Sequence, residues 1–229
     1  MNSAEDNRID VRQPLTLWNA LRFPLQSAAS RRDVVLGGLW LFVPVFGWLL
    51  NMGHRVRVVH RMHRYGEPWP AWERPRELLR HGALTFAGMV WYGWPGVSIA
   101  VAGAHFDNTA LLVFGVVLWM LAVIAIPGYM SHYCCDYDPR EIFDPFRALR
   151  RVRQGGAAYW KAWSIVIVAM SLSFLGLLAG GIGFVFTSVW FWQVAAFCFA
   201  SVFTQCFSLS KPPPSPDPPG THPRQTRCS

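Results

Sequence analysis

Two long stretches of this chain are nearly free of charge. From Gly82 to Cys135 the only Asp, Glu, Lys or Arg is Asp107, and from Ala162 to Ser210 there is none. A helix needs about 20 apolar residues to cross the hydrocarbon of a bilayer, so each stretch has room for two crossings. The expectation is an all-α, polytopic helical membrane protein. Composition agrees, with 52% hydrophobic and 15% charged residues, where a soluble domain carries about 25% charge. Twelve Trp suit rings that sit at the bilayer–water interface.

The net charge of +8 points to the same environment. The Arg residues lie beside the hydrophobic segments, where anionic lipid accounts for them, so membrane lipids rather than nucleic acid are the expected partners. Cys134, Cys135, Cys198, Cys206 and Cys228 do not form a disulfide framework: one pair is adjacent and another lies in an apolar run. Residues 1–33 contain no apolar core, so no signal peptide is expected and the first hydrophobic segment serves as its own insertion signal.

Along the chain, residues 1–13 read as a disordered tail, 14–210 as the helical membrane domain, and 211–229 as a Pro-rich disordered tail. Hydrophobic segments are expected at 34–53, 83–104, 110–131, 162–187 and 188–209, the last turn falling near Gly180-Gly181 or near Ser188. Residues 14–25, with Leu17, Trp18 and Leu21 on one face, predict an interfacial amphipathic helix. A second is predicted after Asp138-Pro139-Arg140-Glu141, which has the pattern of a helix start. Its apolar stripe is Ile142, Phe143, Phe146, Leu149 and Val152, and Gly155-Gly156 ends it. Trp94-Pro95-Gly96 is expected to break the second hydrophobic segment late.

Segment 34–53 carries Pro44 at its centre. Either it spans with a kink, or it dips in and returns as a re-entrant hairpin packed against protein. All 21 Lys and Arg fall within 8–32, 55–80, 140–161 and 211–227. A hairpin puts all four regions on one side, so the positive-inside rule favours it. The expected location is the cell inner membrane, multi-pass, with basic loops cytoplasmic.

Several residues also form a pattern: Ala20-Leu21-Arg22-Phe23-Pro24, Gly37-Gly38-Leu39, Pro44, Gly53 with its Arg run, Glu67-Pro68-x-Pro70-x-Trp72 and Glu77-Leu78-Leu79-x-x-Gly82. Phe143-x-x-Phe146, Arg150-Arg151 and Tyr159 follow. In these the chain resembles a family of bacterial integral membrane proteins catalogued as a domain of unknown function, over residues 14–209. His54 stands where that family often shows Tyr. The resemblance implies an all-helical inner-membrane protein and no assigned activity.

Candidate sites are few. Arg55, Arg57, Arg61, Arg64, Arg147, Arg150 and Arg151 are the candidate lipid-headgroup ligands. Gly176, Gly180, Ala196 and Ala200 form small-residue patterns for helix packing, within the monomer or in a homodimer. His60 and His63 are spaced to share a metal, but no acid or Cys joins them at ligand spacing, so no metal or cofactor is expected. Polar residues that could hold a substrate are limited to Asn51, Gln193 and Gln205. No Ser/His/Asp set, paired carboxylates or phosphate-cradling loop is present, so no enzymatic activity is expected. The leading expectation is a scaffold or accessory protein with an unidentified membrane partner. The alternative is a small permease or lipid-handling protein.

Overall fold

A computed structural model describes residues 9–209 of the chain. The expected Pro-rich tail and residues 1–8 lie outside the described residues. Every element among the described residues is helical. The helices are α1 (Leu17–Arg22), α2 (Ala28–Leu41), α3 (Phe46–His63), α4 (Pro75–His105), α5 (Thr109–Asp136), α6 (Pro145–Ser173) and α7 (Ile182–Phe207). Four are long and apolar enough to cross a membrane: α4, α5, α6 with its 3₁₀ extension to Leu178, and α7. The chain is thus a multi-span helical membrane protein.

Segment 34–53 folds back on itself. Helix α2 ends at Leu41, the chain reverses through Pro44 and Val45, and α3 returns. Val45 takes a positive φ of 64°, and a Cβ on Gly47 would lie 1.7 Å from the Trp40 carbonyl oxygen, so the turn closes only around glycine there. Asn51 fastens the hairpin, its amide donating to the Gly37 carbonyl at 2.9 Å and the Gly47 carbonyl at 2.8 Å. At 14 residues α2 is about 21 Å long, too short for a hydrocarbon core of about 30 Å. Its tip is apolar and uncovered: Phe42, Val45 and Phe46 are 56%, 65% and 61% exposed. Of the two sequence-level alternatives, the structure takes the hairpin.

Helix α4 crosses α3 at a reciprocal glycine contact. A Cβ on Gly53 would lie 1.9 Å from the Leu78 carbonyl oxygen, and one on Gly82 would lie 1.9 Å from that of Leu49. Helices α4 and α5 then pair along Gly96, Gly103 and Gly115, each against backbone of the other helix. The expected break at Trp94-Pro95-Gly96 does not occur, because Pro95 stays inside α4 where Gly96 seats directly on the Trp119 backbone. Pro127 likewise lies inside α5. Such prolines are tolerated in membrane helices when packing and local adjustment re-satisfy the freed carbonyl.

Other boundaries shift. Asp138 caps only a 3₁₀ turn at Pro139–Glu141; α6 starts behind Asp144, whose carboxylate accepts the Arg147 N–H at 2.9 Å. Glu141 cannot close a capping box on Asp138 because it pairs with Arg147 at 2.8 Å and Arg151 at 2.6 Å. Gly156 breaks α6 with φ 51° and ψ −136°, so an Arg-bearing first part turns into the apolar second part. The expected stripe divides: Ile142 is fully buried while Phe146 is 79% exposed. The last reversal falls at Gly180-Gly181, both at positive φ, rather than between 187 and 188.

Residues 9–13, expected to belong to a disordered tail, are packed: Val11 is fully buried, and the Ile9 N–H donates to Gln26 at 2.9 Å. Helix α1 turns Ala20 inward and leaves Leu17 and Trp18 exposed. This N-terminal region docks on the last helix. Phe23 stacks on Phe197 with centroids 4.3 Å apart, Trp190 Nε1–H donates to the Leu21 carbonyl at 3.1 Å, and Gln205 donates to the Gln13 carbonyl at 2.8 Å. Arg64 pairs with Asp136 at 3.1 Å and Arg12 lies 3.7 Å from the Tyr65 ring centroid. One end of the bundle therefore gathers the N-terminal region, the α3–α4 loop and the C-terminal ends of α5 and α7.

Candidate functional site

Arg55, Arg57 and Arg61 project from α3 and Arg64 caps its end; three of the four are matched to acids. Arg57 reaches Glu77 at 2.8 Å and the Glu73 carbonyl, Arg61 reaches Glu73 at 2.9 Å and the Pro70 carbonyl, and Arg64 reaches Asp136. These pairs tie the Pro/Trp loop and the end of α5 to α3. Of the other headgroup candidates, Arg147 and Arg151 share Glu141, while Arg150 is exposed and has no ion-pair partner among the described residues.

Arg55 behaves differently from all of these. It turns inward, its Nε is buried without a hydrogen-bond partner, and its guanidinium carbon lies 4.7 Å above the Trp192 ring. No carboxylate pairs with it among the described residues. Burial pushes the guanidinium down to about 10, which leaves it charged at neutral pH. Arg55 is half-buried with only its Nε sealed, and the cation–π contact, about 0.5–2 kcal/mol, is the contact that holds its guanidinium in place of a carboxylate.

Arg55 sits on the wall of a cavity of about 420 Å³ between α3, α5, α6 and α7, within the range of about 300–1,000 Å³ typical of small-molecule sites. Its lining is almost wholly apolar, including Val59, Val166, Met170 and Phe199; Arg55, Ser131 and Cys134 are its polar members. Ser131 and Cys134 are one turn apart near the basic end of α5, and Trp119 marks the other end of the α5 wall. From Cys134 to Trp119 is 15 residues, about 22 Å along the helix. Lining residues Trp119, Ile167, Met170 and Trp192 are 43%, 52%, 40% and 41% exposed, so the cavity opens sideways between helices.

A separate polar cluster supports the hairpin. His54 and Asp33, each 1% exposed, meet at 2.9 Å. Burial lowers the His54 pKa below 6.5, outweighing its hydrogen bond to Asp33. Neutral His54 therefore donates to the carboxylate, which also accepts the Ala71 N–H at 2.8 Å. Trp72 stacks on His54 at 4.4 Å and donates to the Asp33 carbonyl at 3.1 Å. This cluster pins the Pro/Trp loop onto α2 and α3, and no sequence pattern joins Asp33 to His54.

The histidines spaced for a metal point to different partners. His60 Nδ1–H donates to the Cys134 carbonyl at 2.8 Å, and His63 Nδ1 lies 3.2 Å from Cys135 Sγ. Among the described residues no three His, Cys, Asp or Glu side chains converge as ligands. Gly176 packs against Thr187 and Gly183 of α7, whereas Gly180 has open space where a Cβ would stand and serves the turn. Ala200 is fully buried, and Ala196 lines the cavity. Gln193 is 2% exposed with both amide atoms unpartnered; Gln205 and Asn51 are used as structural donors.

The sequence model of a family described as "Protein of unknown function (DUF4013)" matches residues 36–185, more than half of the chain and narrower than the 14–209 expected. The match runs from within α2 to the start of α7. No curated protein and no solved structure matches.

Proposed function

The chain belongs to the DUF4013 family, whose function is unknown, and from that premise we propose that it is a non-enzymatic lipid-handling protein of the bacterial inner membrane. The observation that carries this reading is the sideways-open apolar cavity among α3, α5, α6 and α7. A cavity with such walls, opening where the bilayer lies, takes amphiphiles from the membrane rather than polar solutes from water. The basic end faces the cytoplasm in this reading. What supports it is the positive-inside rule: with four spans and a hairpin that returns, the described basic segments share one side in this reading.

The test fills the cavity. Ala196→Phe places a ring into it from α7, and Val101→Phe, at a 62% exposed position on α4, serves as the control. Protein is extracted into nanodiscs and its tightly retained lipid is measured by native mass spectrometry. Retained lipid falls in the Ala196 variant alone if the reading holds; equal retention in both variants refutes it. The scaffold reading is favoured by outward-pointing Phe146 and exposed Arg150 at the basic end. A stoichiometric protein companion in the same spectra supports that second reading.

A further inference from the structure

We infer that the cavity is a binding site for a single-chain anionic amphiphile, with Arg55 as the headgroup anchor and Trp192 as the plane that holds the guanidinium in place. The inference rests on the lipid-handling reading and adds the charge, the chain number and the orientation of the ligand.

The charge follows from what is missing around Arg55. Helix α3 and its C-cap present four arginines, and Glu77, Glu73 and Asp136 answer three of them. The fourth is the one at the cavity, and among the described residues no acid answers it. A guanidinium with a sealed, unbonded Nε in an apolar wall is stabilised by an anion that enters with the ligand. Its planar fork suits a carboxylate or a phosphate monoester equally.

The orientation follows from depth. Arg55 is eight residues from the end of α3 at His63, about 12 Å along the helix. Cys134 and Ser131 lie beside the same basic end of the bundle, and from them the cavity runs inward past Val123 to Trp119. A headgroup at Arg55 therefore sits within reach of the headgroup layer while the chain points toward the middle of the bilayer. A volume of about 420 Å³ lies near the lower end of the range for ligand sites and fits one chain rather than two.

The test uses the purified full-length protein in detergent and reads quenching of its tryptophans, three of which (Trp119, Trp163 and Trp192) line the cavity. The probes are a fatty acid with a dibrominated 18-carbon chain, the lysophosphatidic acid with the same chain, and the corresponding neutral alcohol. The expected result is binding of one or both anions about tenfold or more tighter than the alcohol. Which anion wins assigns the source as carboxylate or phosphate. Arg55→Gln brings the anions to the level of the alcohol and leaves the alcohol unchanged, and Arg55→Lys keeps part of the preference. A preference that survives in Arg55→Gln overturns the inference. Equal binding of all three probes by the wild type also overturns it, while leaving the lipid-handling reading standing. No saturable quenching by any probe refutes both.

Discussion

His63 should make this protein lose stability in mild acid, by an amount its surroundings set. The ring is 1% exposed and lies against Cys135 at 3.2 Å. Burial, then the nearby His60 and His132, lower its pKa from 6.5 to about 4. The folded state thus binds fewer protons at this site than the unfolded chain. The associated stability is present above about pH 6.5 and is lost as pH falls toward 4. Between pH 7 and pH 5 the linkage integral for those two pKa values is about 2 kcal/mol. That corresponds to a fall in Tm on the order of 5 °C for a chain of this size. The assay is thermal loss of helicity by circular dichroism in detergent at a series of pH values, comparing wild type with His63→Gln. His54 and His60 are also lowered by burial and act in the same direction, so the variant retains part of the pH dependence. An identical fall in Tm from pH 7 to pH 5 in both proteins refutes the assignment to His63.

Two further outcomes test the hairpin and its crossing. Asn51→Leu keeps the volume but removes two hydrogen bonds to helix carbonyls, and thermal unfolding at neutral pH should show a loss of about 1–3 kcal/mol. Gly82→Ala forces a methyl to within 1.9 Å of the Leu49 carbonyl oxygen, whereas at Gly93 the nearest atom, on the Trp119 side chain, is 3.7 Å away. Gly82→Ala should therefore cost at least about 1–3 kcal/mol by overpacking, with Gly93→Ala close to wild type in the same measurement.

The spans were legible because their signal is local: a run without charge reads as membrane helix wherever it packs. The direction of the Pro44 turn was legible from charge bookkeeping alone, since only a hairpin keeps the arginines together. Pro95 misleads because proline weakens an isolated helix, while in the bundle Gly96 lets α5 pack directly on α4 and the helix continues through it. The motif residues now have reasons. Gly53 and Gly82 let two backbones touch, Glu77 takes Arg57, and Trp72 covers His54. The difference between Arg55 and its neighbours was not legible. Seven arginines look alike in one dimension, and which of them finds an acid depends on how Glu73, Glu77 and Asp136 are brought in from other elements. Asp33 and His54 were hidden for the same reason, being 21 residues apart with no periodicity between them.

The docking of the N-terminal region on α7 also sets a clock for biosynthesis. Leu21 and its partner Trp190 are separated by 169 residues, and Gln13 and Gln205 by 192. At about 5–20 residues per second the surface that receives Val11, Ala20 and Phe23 does not exist until on the order of ten to thirty seconds after those residues emerge. During that interval an apolar N-terminal segment waits at the membrane surface without its berth. Phe23 is covered only after Phe197 of α7 has been made, so the N-terminal packing is among the last contacts the described fold can form.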